Sequence, residues 1–154
     1  MRPCTLAALT VGLVIAGLAT QSAAQQKEDA VKEELKKLQG TWTLVALEKD
    51  GKEVPPDMLK EANIKVTIKG TSFSFLVGGK TIEGSFTIDP AKSPKHLDAK
   101  GPNAQGAEEK TIGIYKLEGD TLRICFVPEG KQRPTEFKSQ ADTGTTLETF
   151  RRDK

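Results

Sequence analysis

Alternating hydrophobic and polar residues dominate the chain beyond residue 40. In one clear example, Ile64, Val66 and Ile68 alternate with lysine and threonine residues. A period of two residues is typical of a β-strand with one buried face, because successive side chains point to opposite sides. The same pattern, interrupted by glycine, proline and aspartate turns, predicts eight or nine short strands, at 41–48, 64–69, 72–77, 80–88, 95–99, 111–117, 121–127, 135–139 and 145–152.

A helical period precedes these strands, over residues 25–39. Val31, Leu35 and Leu38 are spaced four and three residues apart, which places them on one face of a helix. Gly40 follows directly and is a typical helix terminator. The pattern predicts a short amphipathic helix that packs on the strands, with an unpacked spacer as the alternative.

The first strand carries apolar residues on both faces. Trp42, Leu44 and Ala46 alternate with Val45 and Leu47, so strict alternation sends them to opposite sides. We expect one side to face the core and the N-terminal helix to cover the other.

The connections between strands predict how the sheet closes. Nearly all are short enough for hairpins in sequence order, and joining the first strand to the last removes both exposed edges. The prediction for residues 40–154 is a mainly β, antiparallel, up-and-down lipocalin-like barrel of about eight strands, with a two-sheet sandwich as the alternative. Gly84 lies on the inward side of its strand, where we expect a bend or a bulge.

The first 24 residues have the pattern of a signal peptide. Arg2 precedes an uncharged apolar run over 6–19, and Ser22-Ala23-Ala24 supplies small residues for cleavage. A spanning helix needs about 20 apolar residues, and this run has 14. We therefore expect cleavage after Ala24 and export to the periplasm or the medium, with no membrane span in the mature protein.

Charge and cysteine content restrict the remaining function classes. The chain has 23 basic and 21 acidic residues, and loss of Arg2 leaves a net charge of 22 − 21 = +1. That balance argues against nucleic acid as a partner, since nucleic-acid binding depends on basic patches. After cleavage, Cys125 is the single cysteine, so we expect it to be buried as a small apolar residue.

Few residues have the spacing that catalysis or metal binding requires. His96 is the only histidine, and Asp89 and Asp98 near it would make an incomplete zinc site at best. No serine has a nucleophile-elbow motif, and Cys125 lies within a strand rather than at a helix start. The sequence predicts no catalytic residue, no metal, no cofactor and no enzymatic activity.

Four polar residues form the main candidate for a ligand site: Tyr115, Arg123, Arg133 and Glu136. Tyr115 and Arg123 lie on paired strands, and the other two flank a turn that we expect beside them. One hypothesis places all four at the mouth or interior of the barrel, where they orient a polar group of a ligand. The alternative is a buried arginine–glutamate pair that holds the last hairpin in register.

Gly40-Thr41-Trp42, at the head of the first strand after a helix, resembles the signature of the lipocalins and the wider calycin superfamily. In that superfamily the tryptophan closes one end of the barrel, and an arginine of the last strand packs across its indole. The resemblance implies that Arg151 or Arg152 takes this role, and alternation from Phe150 favours Arg152. The resemblance gives Gly40, Trp42 and Arg152 a structural role in barrel closure.

Several spaced motifs also resemble a family of uncharacterised exported domains abundant in planctomycetes. They are Leu38-Gln39-Gly40-Thr41-Trp42, residues 84–90, Gly113-Ile114-Tyr115, residues 119–125 and residues 133–137. The family brings no established activity, and this resemblance implies a fold rather than a function. The chain lacks the disulfides and the C-terminal helix of secreted lipocalins, so no lipocalin ligand residue is carried over.

Two functions from different classes follow. The first is an exported lipocalin-like barrel that binds a small, apolar or amphipathic ligand inside it. The alternative is a non-enzymatic envelope or extracellular interaction domain with a solid core, which acts through loops such as 91–110. An interior cavity favours the first and a packed interior favours the second. The sequence gives no oligomeric state.

Overall fold

A computed structural model describes residues 22–77, 79–103 and 106–154. Residues 1–21, which hold most of the predicted signal peptide, lie outside the described residues, as do Gly78 of the predicted hairpin at 78–79 and residues 104–105 of the loop region. No helix in the described ranges is long and apolar enough to cross a membrane.

The described chain contains two helices and nine strands. The helices are α1 (Ala23–Leu38) and α2 (Pro56–Ala62). The strands are β1 (Gly40–Lys49), β2 (Lys52–Glu53), β3 (Lys65–Lys69), β4 (Ser72–Val77), β5 (Lys80–Asp89), β6 (Lys95–Pro102), β7 (Glu108–Glu118), β8 (Thr121–Pro128) and β9 (Thr146–Arg152). The helix predicted over 25–39 corresponds to α1.

Eight of the strands form one closed antiparallel barrel. The strands β3 to β9 pair in sequence order, β1 pairs with β3, and a further pairing of β1 with β9 closes the ring. The two-residue β2 pairs only with the end of β1. The predicted mainly β, up-and-down barrel of about eight strands with a short N-terminal helix is confirmed.

A β-bulge in β1 changes the expected side of several residues. The register against β9 shifts between Leu44 and Ala46, so that Leu44 lies opposite Phe150 and Leu47 opposite Glu148. A bulge adds one residue to a strand and resets the alternation beyond it. Leu47 therefore packs against the same core as Leu44. The expectation that Leu47 and Leu44 face opposite sides was wrong.

Helix α1 packs across one end of the barrel rather than on the outer face of β1. Leu35 and Leu38 enter the main core, and the Gln39 side chain that follows exchanges hydrogen bonds with the backbone of Gly70 in the β3–β4 turn. Val45 on the outer side of β1 is 39% exposed. The helix closes the end of the barrel at which β1 begins.

The predicted strand at 135–139 is absent, and no hairpin pairs it with β9. The long connection 129–145 instead lies on the outer surface of the barrel. Its Phe137 packs against a small external cluster of Ile114, Cys125 and Leu147. Alternation predicted a strand there because one aromatic residue sits among polar ones, but that residue is a single anchor in a loop.

Candidate functional site

The barrel encloses a cavity of about 370 Å³. Inward-facing side chains of most strands line it, and Leu38 of α1 lies among them. The cavity extends toward the end of the barrel that carries the β4–β5 and β6–β7 connections, where its lining residue Val77 is 37% exposed. Its walls are mainly aromatic and aliphatic, and include Val66, Phe73, Phe75, Phe86, Ile124 and Phe126.

Glycine at position 84 makes room for one of these aromatic rings. A Cβ atom there would lie 2.2 Å from Cζ of Phe73 and 2.6 Å from the carbonyl oxygen of Lys100. The Phe73 ring therefore lies across β5 at this point. The pairing of β5 with β4 keeps its register through Gly84, so these two strands have no bulge there, and close packing explains the glycine.

Glu148 is the charged residue on the β9 wall of the cavity. It follows from alternation along β9, because Phe150, two residues further on, also lines the cavity. Burial raises the pKa of the Glu148 carboxyl to about 7. Protein surrounds the Glu148 carboxyl, yet part of the side chain remains accessible and faces the cavity.

The closed end is built around Trp42, which is fully buried. Its Nε1 donates a hydrogen bond to the carbonyl oxygen of Leu38 at 3.0 Å. Cζ of Arg152 lies 4.0 Å from the centre of the indole. The Arg152 guanidinium also donates to the carbonyl oxygens of Lys37 and Gln39, both at 2.7 Å. The guanidinium thus joins β9, the indole and the end of α1.

Gly40 allows this arrangement through its backbone. Its φ of +116° lies in the range that favours glycine, and a Cβ atom would lie 3.4 Å from Nη1 of Arg152. The structure therefore brings Gly40, Trp42 and Arg152 together at the closed end. Arg151 faces away from the indole and is exposed.

A second polar group joins α1 to the barrel at the same end. The buried carboxylate of Glu34 accepts hydrogen bonds from Lys95, from Lys37 at 3.2 Å and from the Tyr115 hydroxyl at 3.4 Å. Burial alone would raise the pKa of Glu34, but the hydrogen bonds from Lys95 and Lys37 hold it below its ordinary value. Burial, followed by the charge of Glu34, raises the pKa of Tyr115.

The four residues predicted as a ligand site are not brought together. Tyr115 is buried in the main core beside α1. Arg133 lies in the external loop, where Nη1 donates to Oδ1 of Asp98 at 2.5 Å and to the carbonyl oxygen of Gly113 at 2.6 Å. Arg123 lies over the Phe137 ring, with Cζ 5.7 Å from its centre.

Glu136, the fourth residue of that set, is exposed on the outer loop. Within the described ranges it forms no ion pair with an arginine, and the acidic partner of Arg133 is Asp98. The alternative of a buried arginine–glutamate pair was therefore wrong in its partner. Contacts between the loop and β6 cannot be read from local sequence, because they depend on how the loop returns across the barrel.

The remaining chemical candidates lie on the outside of the barrel. Burial, followed by the charges of Arg133 and Lys92, lowers the pKa of His96. Cys125 is fully buried beneath the external loop, as expected, and burial raises its pKa. In the part of the chain that the structure describes, no group of three or more histidine, cysteine and acidic residues could hold a metal ion.

Glu109 and Glu148 are the acidic lining residues that the sequence interpretation missed. The signal was present, since alternation from Phe150 places Glu148 on the inward face of the last strand. The chain matches no protein-family model, no curated protein and no solved structure at significant similarity.

Proposed function

We propose that the protein is an exported, non-enzymatic barrel that binds a small, mainly apolar molecule in its interior. The observation that carries the proposal is the cavity of about 370 Å³ inside the ring of strands. Ligand pockets in proteins occupy about 300–1,000 Å³ and are mostly apolar with a few polar groups. Export rests on the signal-peptide pattern of residues 1–24.

The construction of the barrel supports this function over the alternative of a solid interaction domain. At one end, Leu38, Trp42 and Arg152 fill and seal the interior. Toward the other end, the aromatic side chains line a space and leave it unfilled. Eight-stranded barrels are just wide enough either to be filled by side chains or to hold one small ligand. The cavity supports the second arrangement.

The test uses titration calorimetry to compare the binding of n-octanol to the protein and to two variants in which phenylalanine replaces an alanine. Transfer of eight carbons from water, at about 0.8 kcal/mol per CH₂, supplies about 6 kcal/mol, and the cost of association leaves an expected dissociation constant in the millimolar range. Ala99→Phe introduces a ring at a cavity-lining position and should weaken binding at least tenfold.

Ala91→Phe is the matched control, because it makes the same change at an exposed position after β5. This variant should bind n-octanol as the unchanged protein does. Melting curves check that both variants fold. The proposal fails if the unchanged protein does not bind n-octanol, or if Ala99→Phe and Ala91→Phe bind it equally well.

A further inference from the structure

The lining of the cavity has an excess of negative charge. Three of the described lining residues carry a charge: Lys100, Glu109 and Glu148. Lys100 already forms an ion pair with Glu108, with 3.2 Å between Nζ and Oε1. No described residue forms an ion pair or hydrogen bond with the side chain of Glu109 or Glu148. Two carboxyl groups therefore face a cavity whose one cation is paired elsewhere.

Glu148 is the more enclosed of these two carboxyl groups. The neighbouring strands place Leu47 and Ile124 beside it, and neither side chain can donate a hydrogen bond. An unpaired carboxylate in apolar surroundings is costly, because water no longer solvates the charge. Accordingly, burial raises the pKa of Glu148 to about 7. The Glu148 carboxyl therefore needs a hydrogen-bond donor that the neighbouring side chains do not supply.

We propose that the ligand of this barrel is an amphipathic amine, in which a protonated nitrogen donates to the Glu148 carboxylate while an apolar body fills the aromatic part of the cavity. This inference rests on the proposed function of ligand binding. It adds the chemical class of the ligand. Glu109 adds a second negative charge to the cavity lining.

An amine fits the site better than an alcohol or an acid of the same shape. An ammonium group supplies both a hydrogen-bond donor and the charge that the carboxylate lacks, and such charge-assisted bonds are about twice as strong as neutral ones. The difference corresponds to about tenfold or more in affinity. A carboxylate head would instead be repelled by Glu109 and Glu148.

The experiment titrates n-octylamine, n-octanol and n-octanoate into the protein at pH 8 by calorimetry. The expected order of affinity is amine, alcohol, acid, with the amine at least tenfold tighter than the alcohol. Glu148→Gln should bind the alcohol as before and lose most of the preference for the amine. Glu83→Gln is the control for charge alone, because it removes an exposed carboxylate on β5 that neither lines the cavity nor pairs with Lys100, and it should keep the preference.

The outcomes separate this inference from the function on which it rests. If the protein binds the alcohol but does not prefer the amine, or if Glu148→Gln keeps the preference for the amine, the proposal of amine recognition is wrong and the proposal of ligand binding stands. If none of the three compounds binds, both proposals fail. Retained alcohol binding by Glu148→Gln also shows that the variant is folded, so a lost preference cannot come from unfolding.

Discussion

At the scale of single residues, Arg152 carries an unusual share of the contacts at the closed end. Its guanidinium stacks on the indole of Trp42 and donates to two carbonyl oxygens at the end of α1. The last carbonyl groups of a helix have no partner within the helix. One cationic side chain of the last strand therefore satisfies the end of α1 and covers the core aromatic residue.

Replacing Arg152 by alanine should lower the free energy of unfolding by about 2–4 kcal/mol, the combined effect of the lost stacking and the lost charged hydrogen bonds. Arg151→Ala should change it by less than about 0.5 kcal/mol, because Arg151 is exposed and faces outward. Urea denaturation of both variants measures the difference. Equal effects at the two positions would contradict the structural role of Arg152.

How far single residues could be predicted depends on whether their partners lie close along a strand. Alternation from Phe150 was enough to choose Arg152, and it would also have placed Glu148 inside the barrel. It could not show that Glu34 pairs with Lys95, which lies 61 residues away. The position of Tyr115 and Arg123 on paired strands suggested one site, although Tyr115 lies in the core and Arg123 over an external loop.

At the scale of elements, the connection 129–145 acts as an outer cover for one part of the barrel. Arg133 ties it to β6 and β7, and Phe137 packs over Cys125. Because Cys125 is fully buried there, its thiol reports whether the cover is in place. The Sγ atom donates a weak hydrogen bond to the carbonyl oxygen of Lys138 in the same loop, at 3.5 Å.

Arg133→Ala should release this cover and speed the reaction of Cys125 with a disulfide reagent by about tenfold, the effect of about 1.4 kcal/mol of lost anchoring. The other cysteine of the sequence, Cys4, lies in the predicted signal peptide, so the measurement uses a Cys4→Ser background in which Cys125 is the one thiol. Glu136→Ala is the control, because that side chain is exposed on the same loop, and its rate should not change. Unchanged labelling of Arg133→Ala would contradict the anchoring role of Arg133 and assign it to Phe137 and to Ser139, whose hydroxyl accepts from the Gly51 N–H and donates to the carbonyl oxygen of Thr145.

The strands were predictable and this loop was not, for a physical reason. A strand in a barrel has one buried and one exposed face, so apolar and polar residues alternate along its sequence with a period of two. A loop packed on a surface needs only an anchor such as Phe137 or Arg133, and one anchor has no period. The β-bulge in β1 was missed likewise, because an extra residue shifts the alternation without leaving a signature in the residue types.

At the scale of the whole molecule, the two ends of the barrel have different constructions. Helix α1, Trp42 and Arg152 close one end, while the cavity occupies the interior toward the other. The ring itself was predictable, because hairpin connections in sequence order leave two edges that closure removes. Whether the phenylalanines fill the interior or line a space depends on packing in three dimensions.

We expect the stability of the ligand-free protein to pass through a maximum in weakly acidic solution, because Glu34 at the closed end and Glu148 in the cavity respond to pH in opposite directions. Glu34 at the closed end has a lowered pKa, so its contribution is present above about pH 4.5 and is lost as the pH falls through its folded-state pKa. Glu148 has a pKa raised to about 7 from 4.5. The folded state therefore binds its proton more tightly, and stability falls as the pH rises from about 4.5 to 7.

The Glu148 effect amounts to at most about 3.5 kcal/mol, since one pKa unit corresponds to about 1.4 kcal/mol. His96, whose pKa is lowered, acts in the opposite direction over part of that range, so the difference between variant and unchanged protein is the useful quantity.

Urea denaturation from pH 3 to pH 8 should show that Glu148→Gln removes most of the fall above pH 4.5 and leaves the acid limb unchanged. Glu34→Gln should make the acid limb shallower and leave the fall above pH 4.5 unchanged; part of the acid limb should remain, because the pKa values of Glu33, Asp89 and Asp153 are also lowered. If stability above pH 4.5 falls as much in Glu148→Gln as in the unchanged protein, the Glu148 carboxyl is solvated or paired in the unchanged protein. The charge argument for an amine ligand would then lose its basis.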